Sequence, residues 1–154
     1  MNYVVEQFGV DRADLVFDTV LTLLRELATE SDDLGELDRA RVRAHWEAGQ
    51  DRITVLAARS DAGDVAGMLT VVETFAIYAN GAYGVIAEMF VAPSFRSQGV
   101  GKLLIKAALE LGRHKGWSRI DVAAPESAAW TRTRAFYERE GFTYAGPKLK
   151  HMLR

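Results

Sequence analysis

Apolar residues recur along this chain in two rhythms, one of three and four residues and one of strand-like runs. Tyr3 to Phe8 is a short apolar stretch of strand character, followed by Gly9 and by Asp11, which can cap a helix. From Leu15 the positions Leu15, Val16, Val20, Leu23, Leu24 and Leu27 form one stripe, which predicts an amphipathic helix to about Ala28. The acidic stretch Thr29 to Glu36 predicts a loop, and a second helical pattern runs through Leu37, Val42 and Trp46 to a stop at Gly49. The rhythm then changes. Arg52 to Ala58 and Val65 to Ile77 are β-rich and separated by a turn at Ser60 to Asp64, which predicts a hairpin. A turn at Tyr78 to Gly84, containing Asn80-Gly81, leads into a third strand, Tyr83 to Val91. Three strands with short connections are expected to be antiparallel neighbours.

Beyond this group, Val100, Leu103, Leu104, Ala107, Ala108 and Leu111 predict a helix from Val100 to Lys115, stopped by Gly116. Trp117 to Ala123 is a strand reached by a helical crossover, so it is expected to lie parallel to the strand ending at Val91. Pro125 and Ser127 open a last helix carrying Ala135, Phe136 and Tyr137 and closed by Gly141. Phe142 to Ala145 reads as β-rich, and Leu149 to Leu153 as an edge strand.

Composition narrows the function classes. A chain of 154 residues, 49% hydrophobic and 26% charged, suits one domain over residues 1–154 with a core that needs no staples. The absence of cysteine excludes disulfides, thiolate metal ligands and a thiol acyl-enzyme. A net charge of -2 gives no electrostatic case for nucleic acid or an anionic membrane. With no signal-like N-terminus and no membrane-length apolar run, a cytoplasmic location is expected. No His/Asp/Glu spacing suggests a metal site; His45, His114 and His151 are isolated.

The chemically distinctive stretch is Glu88 to Leu104, EMFVAPSFRSQGVGKLL, a strand, a glycine turn and a helix. Gly99 and Gly101 let backbone N–H groups at the helix N-terminus converge on one anion, with the helix dipole adding to the attraction. A dinucleotide fingerprint would need glycine at Leu104, and a P-loop would need Ser or Thr at Leu103. Arg96-x-x-Gly99-x-Gly101, after a strand ending at Val91 and with Pro93 two residues beyond it, resembles the acyl-CoA pyrophosphate signature of the Gcn5-related N-acetyltransferase (GNAT) superfamily. A second segment, Phe136-Tyr137-Glu138-Arg139-Glu140-Gly141-Phe142, resembles that superfamily's C-terminal motif.

The resemblance implies an α/β fold with a mixed, mostly antiparallel sheet splayed between two central parallel strands and helices on both faces. It implies N-acetylation of a primary amine by direct transfer from acetyl-CoA. The pantetheine arm would pair with the backbone of Met89, Phe90 and Val91, and the pyrophosphate would be cradled by Arg96, Ser97, Gln98, Gly99, Val100, Gly101 and Lys102. Tyr137, whose ordinary pKa of about 10 keeps it protonated, would reprotonate the leaving thiolate. Glu88 would be the base that neutralises the amine, with Glu73 and Glu126 as reserves. The N–H of Phe90 or Val91 would polarise the thioester carbonyl. Trp130 stands seven residues before Tyr137, where the family pattern carries asparagine, and is expected to line the acceptor pocket, as is Glu73. The acidic loop is expected to be a solvated connection, with attraction of a cationic amine as the alternative the resemblance implies. The acceptor is expected to be a small molecule; a protein or peptide N-terminus is the alternative within enzymes, and a non-catalytic acyl-CoA sensor the alternative outside them. An exposed C-terminal strand would allow a homodimer.

Overall fold

In the computed structural model, which describes residues 2–27, 37–123, 131–146 and 149–153, five strands form one sheet in the order β1-β2-β3-β4-β5. These are β1 (Tyr3–Phe8), β2 (Ile53–Ser60), β3 (Val65–Ala76), β4 (Gly81–Val91) and β5 (Ile120–Val122). The first four are antiparallel, and β5 is parallel to β4 as the crossover requires. Among the described residues four α-helices join the sheet: α1 (Ala13–Leu27), α2 (Arg39–Ala48), α3 (Val100–Lys115) and α4 (Thr131–Arg139).

Strand alternation divides the core in two. On one face Val55, Ala57 and Met68 pack with Phe8, Val16, Phe17 and Trp46 beneath α1 and α2. On the other, Leu56, Ala58, Leu69, Val71 and Ile86 pack with Val100, Leu104, Ile105 and Ala108 of α3 and with Tyr137 of α4. Fully burying a side chain such as Leu104 or Ile105 contributes about 1.5–3 kcal/mol. The helices therefore lie on both faces, as the resemblance implied. Arg39 fastens α2 to α1 by reaching Asp14 at 3.2 Å and Asp18 at 2.5 Å. Asp38 caps α2 by accepting the Arg41 N–H at 3.0 Å.

Two helix stripes differ by one position from those the sequence suggests. Leu15 is 41% exposed, and the buried face of α1 keeps Val16 but takes in Ala13 and Phe17 in place of Leu15. In α3 Leu103 turns outward while Ile105 is buried. Both helices present the face whose residues interdigitate with the sheet, which apolar identity alone does not fix.

The strand expected from Trp117 shortens to Ile120–Val122, because Trp117 fills a gap between two glycines. A Cβ on Gly84 would fall 2.5 Å from the Trp117 ring, and one on Gly112 would fall 3.0 Å from it. The expected strand structure at Phe142 to Ala145 and at Leu149 to Leu153 is not formed. Leu149 and Leu153 lie almost fully exposed, so strand propensity there has no neighbouring ladder or packed surface to act on. The acidic loop Thr29 to Glu36 lies outside the described residues.

Candidate active site

The site is built on the C-terminal half of β4. Among the described residues its pairing with β5 covers only Gly84, Val85 and Ile86, so residues 88–91 are paired with β3 alone. Between Ile86, opposite Val71, and Glu88, opposite Thr70, Ala87 is an extra residue, a β-bulge. The bulge reverses which backbone groups face the open edge. Before it, the Gly84 N–H points towards β5, donating to Arg119 at 3.0 Å. After it, the Glu88 N–H turns to β3, as does that of Ala92, which donates to Ala66 at 2.9 Å. Alternation then aims Phe90 at β3, and Met89 and Val91 at the open edge. The Val91 carbonyl accordingly accepts from Arg96 Nε at 3.0 Å rather than from the sheet. Of the two polarising N–H groups considered from sequence, Val91 has the geometry and Phe90 does not.

From Val91 the chain passes through a single 3-10 turn at Pro93–Phe95 into the glycine loop. Ser97 and Gly99 both adopt left-handed backbone, φ 63° and 80°. Such residues turn successive N–H groups towards one side. Gly99 is the N-cap of α3 and brings no side chain to cap the free N–H groups of the helix's first turn. The Gln98 side chain is committed elsewhere: it accepts from the Tyr3 hydroxyl and donates to the Ser94 carbonyl at 3.3 Å. Arg96 also stacks 6.0 Å from the Phe90 ring centroid. The side chains of Gln98 and Arg96 thus brace the loop, and its backbone faces outward beside the exposed Lys102. At Gly101 a Cβ would come within 3.1 Å of both Met89 Cε and Phe136 Cζ, so the helix sits close against the strand and α4.

Glu88 and Tyr137 flank this strand on opposite faces. Glu88 shares the α1–α2 face with Thr70, whose hydroxyl donates to Glu88 Oε2 and accepts the Glu88 N–H at 3.0 Å. Burial pushes its carboxyl above the ordinary carboxylate value. Tyr137 lies under α3, with its hydroxyl 3.8 Å from Met89 Sδ and its ring 5.6 Å from that of Phe142. Burial pushes its pKa up as well, so the phenol stays protonated at neutral pH. A buried carboxyl thus lies on one side of the strand and a protonated phenol on the other, with a polar backbone edge between them.

Glu73 is placed differently. Alternation from Thr70 puts it on the α3 face, opposite to Glu88, where its Oε1 accepts from Trp117 Nε1 at 2.5 Å. Trp130 and Glu126 lie outside the described residues. Thr70, the side chain bonded to Glu88, was not singled out from the sequence; a polar residue inside the apolar run Leu69–Val72 was its signal. Among the described residues no group of three or more His, Asp or Glu side chains is arranged to hold a metal ion. None of the described helices is long and apolar enough to cross a membrane.

The fold and the site define an acyltransferase of α/β type, and comparison with known proteins agrees. The chain belongs to the acetyltransferase (GNAT) family, whose model matches residues 17–142. No curated protein matches it. Among solved structures it is similar to the aminoglycoside acetyltransferase HMB0005 from an uncultured soil metagenomic sample, with 22% identity, TM-score 0.81 and 100% of each chain covered. It is also similar to AAC(6')-Iy in complex with a CoA bisubstrate analogue, with 21% identity, TM-score 0.78 and coverage of 100% of this chain and 99% of that one. A third similar structure is the ribosomal-protein-alanine N-acetyltransferase from Brucella melitensis biovar Abortus 2308, with 16% identity, TM-score 0.73 and 100% and 99% covered. At these identities the likeness shows the fold. The protein is thus an acetyltransferase, an enzyme of a family whose members use acetyl-CoA.

Proposed function

We propose that this enzyme transfers the acetyl group of acetyl-CoA to a primary amine of a small molecule. One observation carries the reading: the edge of β4 left open beyond Ile86 runs directly into an uncapped helix N-terminus behind two left-handed residues. An extended ligand with amide groups along its length and a pyrophosphate at its end fits such a track. Met89 and Val91 would pair with the arm, and the backbone N–H groups from Ser97 to Lys102 would hold the pyrophosphate. Acetyl-CoA supplies the activated acetyl group as a thioester.

The chain's own residues account for the remaining chemistry. Glu88, made more basic by burial, takes a proton from the acceptor ammonium on the α1–α2 face. The Val91 N–H donates to the acyl oxygen as negative charge develops there. The neutral nitrogen bonds the acyl carbon as the C–S bond breaks, Tyr137 gives its hydroxyl proton to the departing sulfur from the α3 side, and the proton the nitrogen sheds on becoming an amide restores the phenol through solvent. Solved relatives in complex with aminoglycoside-type ligands support a small amine as acceptor.

Isothermal titration with acetyl-CoA, then thiol-release assays over polyamines, aminoglycosides, amino acids and short peptides, tests the proposal. Binding with turnover on a small amine is expected. Tyr137→Phe and Glu88→Gln are expected to keep acetyl-CoA affinity and lose about 10²–10⁴-fold in kcat, the usual range for positioned proton transfer. Absence of acetyl-CoA binding would overturn the reading, and turnover confined to peptides would replace the acceptor class.

A further inference from the structure

Thr70 stands on β3 directly across from Glu88, beside the bulge at Ala87. The residue is only 8% exposed, between the fully buried Leu69 and Val71. Valine or isoleucine is the ordinary occupant of such a position. Here both functions of a hydroxyl go to a single neighbour: Oγ1 accepts the Glu88 N–H at 3.0 Å, and the O–H donates to Glu88 Oε2. A hydroxyl carries one donor and two acceptor sites, so the same oxygen serves both bonds. The result is a closed ring from the Glu88 backbone, through Thr70, to the Glu88 carboxylate. It fixes main chain and side chain together.

We infer that Thr70 is the positioning residue for Glu88, holding Oε2 so that the carboxylate keeps one orientation on the acceptor side of β4 and meets the incoming amine through Oε1. The inference rests on the acetyl-transfer reading of Glu88. A side chain held at both ends by a neighbouring strand needs no reorganisation when the proton moves. The same hydroxyl has an electrostatic effect. Donation to the carboxylate favours its charged form, against the burial that favours the neutral one. Among the described residues, the charged or titratable groups of the surrounding elements are Asp14, Asp18 and Arg25 on α1, Arg39, Arg41, Arg43, His45 and Glu47 on α2, Glu73 on β3, Tyr83 on β4, Asp121 on β5 with Arg119 just before that strand, and Tyr137 on the other face. Asp14 and Asp18 are paired with Arg39, and Asp121 with Arg119. None of these charges drives the shift at Glu88, whose cause is burial. The hydrogen bond from Thr70 therefore acts against burial at this carboxyl.

The test is a direct titration of the Glu88 carboxyl by carbon-13 NMR on glutamate-labelled full-length protein, with Glu88→Gln assigning the signal. Thr70→Val is expected to raise the midpoint by about one pH unit, a tenfold change in proton affinity. Thr70→Ser, which keeps the hydroxyl, is expected to stay near the wild type. If Thr70→Val does not fold, Thr70→Ala removes the hydroxyl without adding a methyl and carries the comparison against Thr70→Ser. A midpoint that stays or falls when the hydroxyl is removed overturns the inference. With an acceptor in hand, the acid limb of the kcat/KM profile is expected to move upward in Thr70→Val and return in Thr70→Ser, with KM for acetyl-CoA unchanged. A limb that stays while the carboxyl midpoint moves overturns the catalytic part. The titration needs neither acetyl-CoA nor acceptor, so failed acetyl-CoA binding strikes the transfer reading alone.

Discussion

Gly67→Ala is a sharp probe of how the fold holds the site together. Gly67 lies on β3 opposite Val91, under the first turn of α3. A Cβ there would fall 2.9 Å from the Phe90 carbonyl oxygen, 2.9 Å from Val100 Cγ1 and 3.1 Å from Leu104 Cδ1. Favourable non-bonded contacts need about 3.5–4.0 Å, so α3 and β4 must move apart by several tenths of an ångström. One of the obstructing atoms is backbone, and a rotamer change does not relieve it. Overpacking of this kind costs about 1–3 kcal/mol, and the chain-entropy gain from replacing glycine offsets only about 0.5–1 kcal/mol. At about 2–4 °C per kcal/mol for a chain of this size, Tm is expected to fall by several degrees. The displaced parts are Phe90 and Val100, which lead into and out of the glycine loop, so acetyl-CoA affinity is expected to fall roughly tenfold, about 1.4 kcal/mol. Gly116→Ala is the matched control. Gly116 has φ +77° with nothing within 4 Å of an added Cβ, so it loses about 1–2 kcal/mol to backbone strain alone. It is expected to lower Tm comparably and leave acetyl-CoA binding intact. Thermal unfolding by circular dichroism with calorimetric titration reads both quantities. Unchanged affinity in Gly67→Ala, or equal losses in the two variants, would refute the coupling.

Glu88→Gln is expected to raise Tm at neutral pH while abolishing most activity. The folded-state pKa of Glu88 is raised above its unfolded value, so its contribution to stability is fully present below the unfolded pKa and lost as pH rises through the folded one. The Tm gap between the variant and the wild type is therefore expected to widen from pH 4 to pH 7, and a gap independent of pH would contradict this. Trp117→Phe removes the donor to Glu73 and is expected to cost about 1.5–3 kcal/mol in denaturant unfolding, the range for a hydrogen bond to a charged group. Asp38→Ala removes the cap of α2 and is expected to cost about 1 kcal/mol in the same assay, with acetyl-CoA affinity unaffected.

Much of the architecture was legible in the sequence because it depends on local signals. Asn80-Gly81 marks the β3–β4 turn with left-handed backbone at Asn80, and Gly99 and Gly116 bound α3 at its two ends. The glycine loop was readable for the same reason. What escaped depends on register and on packing across the fold. One extra residue, Ala87, decides that Val91 and not Phe90 offers its N–H to the open edge, and nothing in the run Val85 to Val91 marks which residue is extra. Glu73 and Glu88 look alike in sequence, yet the alternation of β3 and the reach of Trp117 place them on opposite faces. Thr70 acquires meaning only once Glu88 is known to lie across from it. Leu149 to Leu153 shows the converse: a β-rich composition did not make a strand where no neighbour was available to complete a ladder.

The bulge has a consequence for how the protein keeps to itself. Half of β4 presents backbone donors and acceptors that β5 does not cover, in the interior of the strand order rather than at a rim. An open ladder of that kind invites a strand from another molecule, and proteins guard such edges with bulges and charged side chains. Ala87 breaks the regular spacing that an intruding strand would need. The irregularity that aims the Val91 backbone at the open edge thus also makes that edge a poor template for a regular strand.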